Sequence, residues 1–201
     1  MKAKIALVGA ASSRKSTVAY NVTALLKRQK ISVEFVPEFA RRYIEQFTTI
    51  DDPAEQFLLF LKQRDAEAQA AANYDYVLCD TGAFVSYPYL LFHNGDRHIE
   101  RPDKFWFQAH ELDLICMAWA KTYTDIFLLE PGEFVNDGVR FAQSEDDRSA
   151  IYTAIRRYMV ERGISFRVVN GTIDQKITQV VNAIQPYHPE TDLLSVISRR
   201  S

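Results

Sequence analysis

Apolar and polar positions alternate along the chain in two distinct patterns. Ile5 to Val8 is a short unbroken apolar run ended by Gly9, which suits a strand buried on both faces. From Ser16 to Gln29 the period changes. Val18, Val22, Leu25 and Leu26 fall at i, i+4, i+7 and i+8, one face of a helix. Ser32 to Val36 reads as a second strand. Pro37 then opens a helix from Glu38 to about Phe47, since proline suits a first helical turn. Asp51-Asp52-Pro53 starts another helix that runs to about Ala72. Tyr76 to Cys79 is a third strand and ends at Asp80. Residues 83 to 102 are aromatic and broken by Pro88, Asn94-Gly95 and Pro102, which predicts a short helix and a loop. A helix from Asp103 to about Lys121 leads to a fourth strand, Ile126 to Leu129. The polar stretch 131–144 precedes a helix from about Ser144 to Arg162, stopped by Gly163. Phe166 to Val169 is the fifth strand, and Ile173, Ile177, Val180, Val181 and Ile184 mark the last helix.

Five short apolar strands separated by helices predict an α/β fold: a five-stranded parallel sheet with helices on both faces. No internal repeat or linker divides it, so residues 1–184 read as one domain. Residues 185–201, with two prolines and a basic end, read as a C-terminal tail or docking arm. A length of 201 residues gives a core that needs no disulfide or metal staple.

Charge narrows the class of partner. With 24 basic and 26 acidic residues the net charge is −2, so nucleic acid is not the expected partner. Cys79 and Cys116 lie in apolar contexts and read as buried thiols in a reducing compartment. No histidine pairs with a cysteine or histidine at zinc-ligand spacing. The first apolar run is too short for a signal peptide, and none reaches the ~18 residues of a membrane helix. A cytoplasmic protein without a membrane partner is expected. The sequence leaves its oligomeric state open.

In parallel sheets covered on both faces, ligands bind beyond the carboxyl ends of the strands. After the first strand comes Gly9-Ala10-Ala11-Ser12-Ser13-Arg14-Lys15-Ser16-Thr17. This is the phosphate-loop pattern G-x-x-x-x-G-K-[ST] of P-loop NTPases except at Arg14, which stands where the second glycine belongs. Loop amides and the helix amino end would face ATP phosphates. Lys15 would reach the β- and γ-phosphates, and the Ser16 hydroxyl would ligate Mg²⁺. Arg14 can be read two ways. Its side chain can crowd the phosphates, or its guanidinium can add a bidentate phosphate contact. Asp80-Thr81 follows the third strand, where a carboxylate can polarise Mg²⁺ or its water, although aspartate there also caps helices. After the second strand, Glu38 could engage a substrate hydroxyl or take its proton, with Arg41 and Arg42 on an anionic group; a solvated helical turn is the plainer alternative. Asn136-Asp137-Gly138-Val139-Arg140 lies in the polar stretch, where a lid could bring Arg140, or more weakly Arg148, over the phosphates. Asn170-Gly171-Thr172 is a turn that could approach a base. The guanine-selecting N-K-x-D sequence is absent. The aromatics Phe84, Tyr87, Tyr89, Phe92, Phe105, Trp106 and Phe107 could stack a heterocycle, but most suit core packing.

Together the phosphate loop with its Ser-Ser, Pro37-Glu38-Phe39-Ala40-Arg41-Arg42-Tyr43, Asp80-Thr81 and Asn136-Asp137-Gly138-Val139-Arg140 resemble the ribosylnicotinamide-kinase domain of bifunctional nicotinamide-nucleotide adenylyltransferase/ribosylnicotinamide kinases. That group belongs to AAA-like P-loop ATPases. The resemblance covers roughly residues 4–184. It implies kinase-type topology, ATP and Mg²⁺, and phosphorylation of a nucleoside-like small molecule at its 5′-hydroxyl. By the same resemblance Lys15, Glu38, Asp80 and Arg140 would be catalytic. Ser16 and Asp80 would hold the metal, and Glu38, Arg41, Arg42, Asp80 and Asp137 would bind the acceptor. The adenylyltransferase part has no counterpart in the sequence, so a stand-alone kinase-like domain is expected. Arg14 departs from the pattern and motivates a second reading, a nucleotide-binding or regulatory protein with impaired turnover.

Overall fold

The computed structural model describes residues 1–47, 53–94, 102–133 and 144–187, together with Leu193. Among the described residues five strands form one sheet: β1 (Ala3–Val8), β2 (Val33–Val36), β3 (Tyr76–Asp80), β4 (Asp125–Leu129) and β5 (Arg167–Val169). Their order is β2-β3-β1-β4-β5, and every pairing is parallel. The central strand β1 is flanked by β3 and β4, so the ends of these three strands converge beside the segment that follows Val8. Leu7 pairs with Asp80 and Val8 with Leu128.

The helices are α1 (Lys15–Arg28), α2 (Phe39–Phe47), α3 (Pro53–Asn73), α4 (Ser86–Asn94), α5 (Pro102–Ala120), α6 (Glu145–Glu161) and α7 (Ile173–Ile184). Strand alternation divides the core in two. Ile5 and Leu7 of β1 pack with Val18, Val22 and Leu26 of α1 and with Val180 and Ile184 of α7. Ala6 and Val8 pack on the other face with residues of α3 to α6, among them Phe60, Leu90, Leu112 and Ile155. Every β1 residue is buried, which is why its sequence shows no polar alternation except Lys4.

The segment read as a short helix and a loop contains a 3₁₀ turn at Ala83–Val85 followed directly by α4. The start of the C-terminal segment returns to the body. Tyr187 donates to Asp125 Oδ2 at 2.9 Å, and Leu193 is buried in the core cluster on the α1 and α7 face of the sheet, its N–H donating to Gln185 Oε1 at 2.9 Å. Asp125 opens β4, so this contact lies at the amino ends of the strands, opposite the segment that follows Val8. Among the described residues no helix is long and apolar enough to cross a membrane.

Candidate phosphate-binding site

The chain leaves β1 through Gly9, whose φ is 148°. A Cβ there would sit 2.6 Å from the carbonyl oxygen of Leu129, so only glycine lets the loop cross the end of β4. Ser12 and Arg14 then take left-handed backbone conformations, with φ of 57° and 68°. Arg14 therefore keeps the backbone shape that a glycine adopts freely, at a cost of about 1–2 kcal/mol. It is the N-cap of α1 and makes no side-chain capping bond, and the first turn carries no acidic residue. The amino ends of α6 and α7 differ. Ser144 with Asp147, and Thr172 with Gln175, form reciprocal capping boxes. The amides and dipole at the start of α1 favour an anion.

Lys15 is buried, and its Nζ donates to the carbonyl oxygens of Gly9 at 2.9 Å and Ala10 at 3.0 Å. The ammonium group is held inside the loop. Ser16 Oγ donates to Asp80 Oδ2 at 2.5 Å. A hydroxyl and a carboxylate brought together from α1 and β3 are hard oxygen donors of the kind Mg²⁺ takes, so the residues fit that ion. Among the described residues no group of three or more His, Cys, Asp or Glu could hold a metal by itself. The buried Ser13 Oγ and Thr81 Oγ1 have no hydrogen-bond partner among the described residues, and both lie in the segments that face each other across this site. Thr17 follows on the first turn of α1, half-buried, and its carbonyl accepts from Asn21.

The turn after β3 is fixed from below by α3. Thr81, at φ 70°, donates its N–H to Leu7 and accepts at its carbonyl from Gln63 Nε2 at 3.2 Å. Gln63 Oε1 in turn accepts from the N–H of Phe39 at 2.9 Å. One amide side chain thus ties the turn carrying Asp80 to the segment carrying Glu38. One helical turn further on, Glu67 is fully buried. Its carboxylate accepts from the Ala83 N–H, the Tyr123 hydroxyl and the Trp119 indole at 3.0, 2.6 and 2.7 Å, and Lys4 Nζ lies 3.5 Å away. Burial pushes the Glu67 carboxyl up against the pull of Lys4, and pushes Lys4 down against the pull of Glu67.

The remaining expected residues are distributed more widely. Glu38 precedes α2 and is half-buried. Arg41 pairs with Glu45 at 3.4 Å along the surface of α2, and Arg42 is exposed. Arg148 is buried and its Nη1 donates to the Gly132 carbonyl at 2.8 Å. Gly132 itself lies against the loop, because a Cβ on it would be 3.3 Å from the Ser12 oxygen. Asp137 and Arg140 lie outside the described residues. Of the aromatics, Phe84 and Phe105 are core, while Phe107 is 67% exposed. Tyr89 stacks on His93 with ring centroids 5.9 Å apart, and its hydroxyl is 3.5 Å from the Gly9 oxygen. Asn170-Gly171-Thr172 is a helix cap.

Four residues that shape the site were not singled out from the sequence: Lys4, Gln63, Glu67 and Lys176. Each carries the same signal, a polar residue on an otherwise buried face. Phe60, Gln63, Glu67 and Ala70 lie on one side of α3 and all are buried, as are Lys176, Ile177 and Val180 on α7. Lys176 Nζ donates to the Ser13 carbonyl at 3.2 Å and the Glu130 carbonyl at 2.8 Å.

A family model described as an AAA domain matches residues 4–176. No curated protein matches the chain. Among solved structures, NadR protein in complex with NR matches at TM-score 0.72 and 20% identity, over 94% of this chain and 52% of that one. NadR protein in complex with NAD and AMP-PNP matches at 0.72 and 20%, over 95% and 51%. Thymidylate kinase from Candida albicans matches at 0.59 and 18%, over 92% of each chain. The chain thus spans about half the length of the NadR chains, and the likeness is one of fold: a P-loop kinase-like sheet.

Proposed function

Because the chain belongs to the AAA domain family, we propose that it is an ATP-dependent small-molecule kinase acting on a nucleoside-like hydroxyl. One observation carries this reading: the uncapped start of α1, with Lys15 held inside the loop and Ser16 joined to Asp80. That arrangement presents amides, one cation and two hard oxygen donors to a polyphosphate. The solved NadR complexes with NR and with AMP-PNP support a nucleoside acceptor and an adenine nucleotide donor.

Loop amides and Lys15 would grip the phosphates and orient the terminal phosphoryl group. Ser16 and Asp80 would hold Mg²⁺, which supplies charge neutralisation between the phosphates when bound. Glu38 would take the proton of the acceptor hydroxyl as its oxygen bonds to phosphorus and the bond to the bridging oxygen of ADP breaks. Arg140, three residues after Asp137, would close over the phosphates from the segment after β4; Arg41 and Arg42 would meet an anionic acceptor. Catalysis would come from positioning and electrostatics rather than covalent chemistry.

The test is a transfer assay with ATP·Mg²⁺ against NR and the common nucleosides. ADP and a phosphorylated acceptor are expected for at least one. A folded protein that phosphorylates none of them contradicts the kinase reading. The left-handed Arg14 favours a second reading, a nucleotide-binding protein without turnover. ATP-dependent thermal stabilisation without any transfer or hydrolysis would select it.

A further inference from the structure

The phosphate loop is held from behind by a residue distant in sequence. Lys176 is 3% exposed on the first turns of α7, and its ammonium group makes two hydrogen bonds, to the carbonyls of Ser13 and Glu130. The first is the informative one. The Ser13 carbonyl and the Arg14 N–H belong to one planar trans peptide, in which C=O and N–H point in opposite directions. Fixing the Ser13 oxygen on Lys176 therefore turns the Arg14 N–H away from α7. The second bond anchors the same ammonium to the residue just beyond β4, so the peptide is held against the sheet rather than against a mobile side chain. Arg14 is also the residue that stands in the left-handed region without being glycine. A charge-assisted hydrogen bond is of the same order as the cost of that conformation. Lys176 and Arg14 are close enough for the arginine charge to depress the lysine further, beyond the effect of burial, while Glu130 opposes both.

We propose that Lys176 is a positioning residue of the phosphate loop: it holds the Ser13–Arg14 peptide with the Arg14 N–H facing the phosphates, and so lets an arginine occupy the glycine position. The proposal rests on the nucleotide-binding reading only for which way that N–H is used. The alternative is a plain tie between α7 and β4, made through Glu130 alone.

The experiment compares full-length wild type, Lys176→Met, Lys176→Arg, Arg14→Gly and the Lys176→Met/Arg14→Gly double variant. Amide exchange of the peptide covering residues 10–18 is followed without ligand, and ATP·Mg²⁺ affinity by titration calorimetry. In Lys176→Met the loop peptide is expected to exchange about tenfold faster and ATP·Mg²⁺ affinity to fall about tenfold. In the Arg14→Gly background both effects shrink to roughly threefold or less, because glycine holds the conformation unaided. Lys176→Arg keeps the donors and recovers most of the affinity. Unchanged loop exchange in Lys176→Met overturns the proposal, as does an equal loss in both backgrounds, which is what a plain tie produces. Should the wild type bind no ATP, the nucleotide reading fails. The exchange comparison then decides the positioning role by itself. If Lys176→Met does not fold, Lys176→Gln, with a shorter neutral donor, takes its place in the same comparison.

Discussion

Arg14 is where the loop departs from its pattern, and the structure resolves one half of that departure. The backbone at position 14 is left-handed, as glycine would be, and the side chain makes no helix cap. Arg14→Gly should therefore leave the fold intact and raise unfolding free energy by about 1 kcal/mol, measured by urea denaturation. It should also tighten ATP·Mg²⁺, because bulk beside the phosphates is removed. Weaker ATP·Mg²⁺ binding by the glycine variant would mean that the guanidinium is itself a phosphate ligand. Ser16 and Asp80 form the other residue-scale junction. Losing the carboxylate in Asp80→Ala should cost about tenfold or more in Mg²⁺-dependent nucleotide affinity and leave metal-free binding little changed. Equal losses with and without Mg²⁺ would place Asp80 outside the metal site.

At the scale of elements, α3 does more than cover the sheet. Its buried stripe carries Gln63 and Glu67 one turn apart, and both grip the segment that follows β3. The pair of Glu67 with Lys4 crosses from α3 to β1 in a buried setting, where removing one charge strands the other. Glu67→Gln is expected to cost about 3 kcal/mol in a urea melt, and Lys4→Met/Glu67→Gln less than the sum of the two single changes. Additive losses would show that the two groups do not interact. Strand and helix positions were legible from the chain because apolar runs and helical stripes are local patterns. β3, for example, extends Tyr76–Cys79 only by Asp80. The phosphate-loop motif was legible for the same reason, since it directly follows β1 and carries Ser16 into α1, and Asp80 was marked as the residue that ends β3. The Lys4–Glu67 and Lys176–Ser13 contacts were not. They join residues 63 and 163 positions apart, and a single buried lysine in a stripe does not name its partner.

Over the whole molecule, the candidate site lies at the carboxyl ends of the strands, and the start of the C-terminal segment packs at their amino ends. Tyr187 meets Asp125 at that amino end, beside Arg167, which lies 3.1 Å from the same carboxylate. The interior also holds groups that burial keeps protonated: Cys79, Cys116, Tyr123 and Tyr158 are all pushed up, mainly by desolvation. Their protons leave the unfolded chain first, near pH 9 for the thiols and 10 for the phenols. The folded state then binds more protons, and stability falls as pH rises. Lys4 and Lys176, pushed down by burial, act in the opposite direction until about pH 10.5, where free lysine itself titrates. The urea midpoint is therefore expected to drop steeply between pH 10.5 and 11.5. A flat or rising midpoint in that window would contradict the buried assignment of these groups.

The central claim is that the loop after β1 holds a nucleotide through Lys15 and the amino end of α1. Titration calorimetry of ATP·Mg²⁺ into the wild type and Lys15→Ala tests it most directly. The wild type should bind in a one-to-one complex, and Lys15→Ala should bind at least about tenfold more weakly, since on the proposed reading its ammonium is the loop's phosphate cation. No binding by the wild type, or the same dissociation constant for both proteins, would contradict the account.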